Sequence, residues 1–221
     1  MILTKSNTVI RIWVMLMVVL GTFSVSAQDI DKSQPYEMMQ KVADRTFMRL
    51  AKEQALVQSD PNYLKVVVEE ELMPYVNDRY AALKLLGPNL KGAKREDVLE
   101  FAKAFREYLV TSYAQVLTQY TGQEIQFGPR PIIDDKTTIT GVRVTILDSP
   151  RPNINLEFKL RKDKKTGDWK AFDMIAEGIS LLSSKQSEWN SKIRQEGIVS
   201  VAKELEALSQ ASIRFEGKSG Q

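Results

Sequence analysis

Two carboxylates, Asp173 and Glu177, are the residues of this chain most suggestive of chemistry. They sit in the stretch DWKAFDMIAEGISLLSSKQSEW, Asp168 to Trp189, where alternating apolar residues give way to helical spacing. Such a pair can act as acid and base when an apolar pocket raises one partner. Working pairs stand about 5–10 Å apart. On a continuous strand, residues 173 and 177 face the same way but lie roughly 13 Å apart, at ~3.3 Å per residue. The spacing favours structural carboxylates at a strand–helix junction. A cavity enzyme using a buried Asp173 is the alternative reading. The composition gives that alternative little help. The 221 residues include no Cys and no His, so a thiol nucleophile, an imidazole base and a Cys/His zinc site are all excluded. There are no disulfides, and the core alone must hold the fold.

The elements that position these residues follow from periodicity. Residues 35–57 carry apolar side chains at three- and four-residue steps, with Pro35 in the first turn. A second helical pattern begins after Ser59-Asp60-Pro61 and is ended or kinked by Pro74. Residues 77–86 form another, stopped by Gly87-Pro88, and residues 94–120 form the longest, stopped by Gly122. The period then changes to two. Ile125 and Phe127, then Val142, Val144 and Ile146, then Ile154, Leu156, Phe158 and Leu160 each alternate with polar residues. The cationic run Arg161-Lys162-Asp163-Lys164-Lys165 leads to Gly167 and reads as a solvated hairpin tip. Contact with anionic lipid heads is its other use. A returning strand, residues 169–175, precedes two further helices and a polar tail from residue 211. Helices and strands segregated in this way indicate an α+β fold, with a twisted, mainly antiparallel sheet cupping helices.

The first residues carry an address. Lys5 and Arg11 precede an apolar run from Ile12 to Leu20, and small residues end at Ala27. This is a secretory signal with a cut after Ala27, too short to span a bilayer, which takes ~20 apolar residues. Removing it takes away two cations and no acid, so the remaining chain is close to neutral and calls for no nucleic-acid partner. One domain, residues 28–210, with a flexible tail at 211–221, is the expected organisation. An envelope adaptor with a filled core is a further alternative for such a chain.

Three stretches together resemble the toluene-tolerance family, the periplasmic phospholipid carriers of the Mla system of Gram-negative bacteria. They are NYLKVVVEEELMPYVNDRYAALKLLG, FAKAFREYLVTSYAQVLTQYTGQ and DWKAFDMIAEGISLLSSKQSEWNSKIRQEGI. The most specific part is the set Trp169, Asp173, Glu177, Gly178, Ser180 and Trp189. The likeness runs from about Tyr36 to Ser209. It implies a cone related to NTF2-like folds, with an apolar cavity that takes acyl chains and leaves the headgroup outside. It implies a periplasmic, non-enzymatic monomer whose cargo is phospholipid and which needs no cofactor. Its implied partners are an outer-membrane lipoprotein–porin complex and an inner-membrane ABC transporter with an MCE-domain ring. Trp169, Asp173, Glu177 and Gly178 are then structural. From the facing apolar runs, the expected lining is Leu83, Phe105, Leu109, Val142, Val144, Ile146, Leu156, Phe158, Phe172, Met174 and Leu182. On the last strand two sets compete for the inner face: Phe172 with Met174, and Trp169 with Ala171 and Ile175.

Overall fold

The computed structural model describes residues 29–215. The expected signal segment, residues 1–27, and residues 216–221 of the tail lie outside them.

Helix α1 spans Pro35–Lys52 and α2 Gln54–Ser59, so the expected first helix is broken at Glu53. Its core stripe is Met38, Val42, Thr46 and Leu50 at steps of four. The three- and four-residue spacing instead predicts a stripe of Tyr36, Met39, Ala43, Phe47, Leu50 and Gln54. Tyr36, Ala43 and Phe47 lie on the neighbouring face and line a groove. Helix α3, Tyr63–Val67, runs into a π-helical turn, Val68–Leu72, and a 3₁₀ turn, Met73–Tyr75. The wider π turn turns Glu69 to Arg106, and Glu70 and Glu71 to Arg49. Arg45 also pairs with Glu71, and Arg49 with Glu53, so α1 is tied to this turn by a charge network.

Helix α4, Asp78–Leu86, starts under Asn77, whose side chain accepts from Tyr80 N at 3.2 Å. Helix α5, Arg95–Leu117, is the long one; α6 is Leu181–Glu196 and α7 Ile198–Ser209. The helices α4 to α7 share one core of Leu85, Leu86, Phe101, Phe105, Trp189, Ile193 and Leu205. A second core joins α1 and α3 to α5 through Leu50, Leu64, Val110 and Ala114. Residues 211–215 belong to it rather than to a flexible tail. Ile213 is buried there, its N–H bonds the Asn62 side chain at 3.0 Å, and Gln115 clamps both backbone groups of Arg214.

The sheet is antiparallel throughout, in the order β1 to β5: Glu124–Phe127, Ile139–Leu147, Ile154–Lys162, Trp169–Ala176 and Ile179–Ser180. Register places Ile125 opposite Ile146, Phe127 opposite Val144, Val142 opposite Phe158, and Val144 opposite Leu156. Residues paired across strands share a face, so the apolar alternations of β1, β2 and β3 combine into one apolar face. The opposite face is polar, carrying Arg143, Glu157, Lys159 and Arg161.

The competition on β4 ends in a bulge. Lys159 pairs with Asp173 but Leu160 pairs with Ala171, leaving Phe172 as the extra residue. Trp169 and Ala171 therefore lie on the apolar face before the bulge, and Met174 and Ala176 lie on it after. Phe172 turns into the helical core, edge-to-face with Tyr80 at 5.0 Å. Ile175, paired with Glu157, is on the polar face.

Candidate functional site

The expected lining divides into two groups. Phe105, Leu109, Phe172 and Leu182 pack together among α4 to α7. Val142, Val144, Ile146, Leu156, Phe158 and Met174 share the apolar sheet face. β4 joins the groups, because Phe172 belongs to the first and Met174 to the second. Leu83 is half-buried on α4 and stands outside the three packed clusters, as do Val144, Ile146, Leu156 and Met174.

Among the described residues the apolar face is buried most deeply at one end. Met38 and Val42 of α1, with Tyr75, pack on Val142, Leu160 and Trp169. From there exposure grows along β3: Leu160 is 0% exposed, Phe158 and Leu156 are half-buried, and Ile154 is 36% exposed. Beyond the β4–β5 turn, Ile179 is 62% exposed on the same face. An apolar wall thus runs from a closed base to an open lip. A cluster of apolar side chains left in contact with space is characteristic of a binding surface rather than of a filled core.

The two carboxylates do structural work. One Asp173 oxygen accepts from Met174 N at 2.8 Å and from Leu182 N at 3.0 Å; the other accepts from Ser180 Oγ at 2.7 Å. Asp173 therefore satisfies a first-turn amide of α6, where the helix dipole also favours a negative charge. Ser180 completes the cap by accepting from Ser183 N at 3.0 Å. Glu177 and Gly178 are the two central residues of the β4–β5 hairpin, with φ of 48° and 82°. That is the type I′ geometry, which favours glycine at the second place and strains a glutamate at the first. The Glu177 carboxylate accepts from Asn155 N at 2.5 Å, which holds the strained residue in place. Trp169 is buried at the base, its N–H donating to Lys32 O at 2.8 Å.

Inside this corner Tyr113 of α5 is the polar group most affected by its setting. Burial pushes its hydroxyl up to about 12, and the Asp173 carboxylate and Tyr108 add to the effect. Among the described residues no group of three or more acidic side chains is arranged to hold a metal ion. No helix among them is long and apolar enough to cross a membrane.

A groove that the sequence did not reveal adjoins this wall. It has a volume of ≈ 660 Å³ and lies between Tyr36, Gln40, Ala43, Asp44, Phe47 and Met48 of α1 and Tyr120, Gln123, Ile125 and Phe127 at the start of the sheet. That volume is within the ~300–1,000 Å³ usual for ligand sites. The alternation of Ile125 and Phe127 was a legible signal for its floor. The α1 wall was hidden by the one-residue rotation of that helix's core stripe.

Fold and site together define a binding protein, an antiparallel sheet with one apolar face left partly open among helices. The MlaC protein family matches residues 40–207, and the chain belongs to that family. It is 35% identical over 198 residues to the Haemophilus influenzae intermembrane phospholipid transport system binding protein MlaC, covering 89% of this chain and 92% of that one. Its fold is also that of a phospholipid-binding protein from Ralstonia solanacearum solved in complex with a phospholipid. That match has a TM-score of 0.70 and 16% identity, over 80% of this chain and 99% of the other.

Proposed function

We propose that the protein carries phospholipid across the periplasm between outer and inner membranes, as cargo and without chemistry, and so maintains outer-membrane lipid asymmetry. The observation that carries this reading is the exposure gradient on the apolar face, from Leu160 to Ile154 and Ile179. Acyl chains laid over the buried Val144 and along Ile146, Leu156, Phe158 and Met174 would complete the partial burial of the last four and leave a headgroup at the lip. Leu83, Leu109, Phe172 and Leu182 would form the helical side of an NTF2-like cone. Family membership supports the reading, and so do the names of the Haemophilus and Ralstonia relatives.

The energetics suit a carrier. Each buried CH₂ is worth about 0.8 kcal/mol, so two chains gain on the order of 20 kcal/mol over water. A bilayer offers a similar gain, and transfer between membrane and protein is close to balanced. Membership in the Mla system makes an outer-membrane lipoprotein–porin complex and an inner-membrane ABC transporter with an MCE-domain ring the expected partners.

The test is organic extraction and mass spectrometry of the purified mature protein, with Phe158→Arg and Val144→Arg beside it. Stoichiometric phospholipid is expected in the wild type. The half-buried Phe158→Arg should fold and lose it, whereas Val144→Arg also costs several kcal/mol by burying a charge. A folded Phe158→Arg with a full lipid load, or a wild type with none, refutes the assignment.

A further inference from the structure

The groove between α1 and β1 borders the free edge of the sheet. β1 is an outermost strand. Gly128 N donates to Arg143 O at 2.9 Å, which makes Gly128 and Arg143 a hydrogen-bonded pair of the β1–β2 ladder. Such pairs alternate in an antiparallel ladder. Ile125 with Ile146 and Phe127 with Val144 are therefore the non-bonded pairs. The N–H and C=O groups of Ile125 and Phe127 point away from β2, and no hydrogen bond among the described residues reaches them.

α1 runs beside this edge in the opposite sense. Tyr36 meets Phe127 at 5.9 Å, and its hydroxyl donates to Gly128 O at 2.9 Å. At the other end Phe47 meets Tyr120 at 4.4 Å. Tyr36 to Phe47 covers about 16 Å of helix, and Gln123 to Gly128 covers about 16 Å of strand. Two aromatic contacts thus bracket a slot whose sides are a helix and an unpaired strand. The edge is short and begins with the charged Glu124, but it carries no Lys, Pro or bulge. The chemistry of the slot is specific. Phe47, Met48 and Phe127 are apolar, and Asp44 is exposed in no ion pair among the described residues.

We propose that this slot takes an extended segment of a partner protein as a sixth strand, with alternate apolar side chains in the groove and a Lys or Arg against Asp44. Main-chain bonds to Ile125 and Phe127 give affinity, and the groove and Asp44 give selectivity, as in other strand-addition sites. The inference stands independently of the lipid reading, because it uses the edge and α1 rather than the cavity lining.

The probe is the acetylated and amidated peptide Lys-Val-Thr-Val-Thr-Val-Thr-Lys, added to isotope-labelled protein with lipid bound and after its removal. Binding in the millimolar range or tighter is expected, with hydrogen exchange at the Ile125 and Phe127 amides slowed at least tenfold. Ala43→Arg should fill the slot and abolish the effect while keeping its phospholipid. Asp44→Arg should reverse preference in favour of the same peptide ended by Glu. Three results would overturn the proposal. One is no binding to either form of the wild type. Another is binding without protection of the two amides. The last is a slot already altered by lipid removal and closed to the peptide when loaded, which assigns the groove to acyl chains.

Discussion

Replacing Asp173 separates a structural carboxylate from a reactive one. Asp173→Ala removes acceptors for Met174 N, Leu182 N and Ser180 Oγ. Loss of a capping side chain costs about 1 kcal/mol, and loss of a charge near a helix N-terminus about 0.3–1 kcal/mol more. The partly buried Leu182 amide left without a partner adds about 1 kcal/mol. Together these come to about 2–3 kcal/mol. Ser180 softens it, because its hydroxyl also meets Ser183 Oγ at 3.0 Å. Asp173→Asn keeps one carbonyl acceptor and should cost about half as much. The assay is urea unfolding followed by circular dichroism. At an m-value of about 2 kcal/mol/M the midpoint should fall by about 1–1.5 M for Ala and by less for Asn, with m unchanged. Folded protein of either variant should carry as much phospholipid as the wild type. Equal midpoints for all three proteins would refute the structural account. So would loss of lipid carriage by Asp173→Asn without loss of stability.

Further outcomes follow from other parts of the structure. Gly178→Ala should cost about 1–2 kcal/mol through its left-handed backbone alone, because no atom lies within 4 Å of an added Cβ; Gly178→Asn should cost less, and thermal melting ranks them. Tyr113, raised to about 12, holds its proton in the folded state where the unfolded chain loses it near 10. Its contribution is complete below pH 10 and lost as pH rises towards 12, so Tyr113→Phe should flatten the alkaline fall in stability over that window, measured by unfolding at stepped pH. Truncation after Gln210 removes the buried Ile213 and should cost about 3 kcal/mol, a melting point lower by about 6–12 °C.

The strands were legible because their polar and apolar residues alternate over long runs. β3 reads correctly from Ile154 to Leu160. β4 did not, because periodicity presumes one residue per step, and the extra Phe172 shifts the phase midway. Both competing sets were partly right: Trp169, Ala171 and Met174 share the sheet face, while Phe172 serves the helices. The π turn was hidden for a similar reason. Leu64 and Val68 keep helical spacing into it, and only the acidic run Glu69-Glu70-Glu71, facing Arg106 and Arg49, marks the change. Residues 211–215 looked like tail because their anchoring rests on distant partners, Asn62 and Gln115, which no local pattern displays. The apolar face that β1, β2 and β3 share was readable from alternation. The α1–β1 groove depends on which side of α1 meets Val142 and Leu160, and that is a tertiary choice.

The bulge at Phe172 also bears on how this chain can change length in evolution. A residue gained or lost inside a strand normally inverts every side chain beyond it, exchanging oily and charged faces. Here one position is exempt. Deleting Phe172 would leave Ala171 opposite Leu160 and Asp173 opposite Lys159, in uninterrupted pairing, with no inversion on either side. The loss would be confined to one ring beside Tyr80. Relatives that differ by a single residue in this strand are expected to differ there, and the strand carries its own tolerated point of insertion.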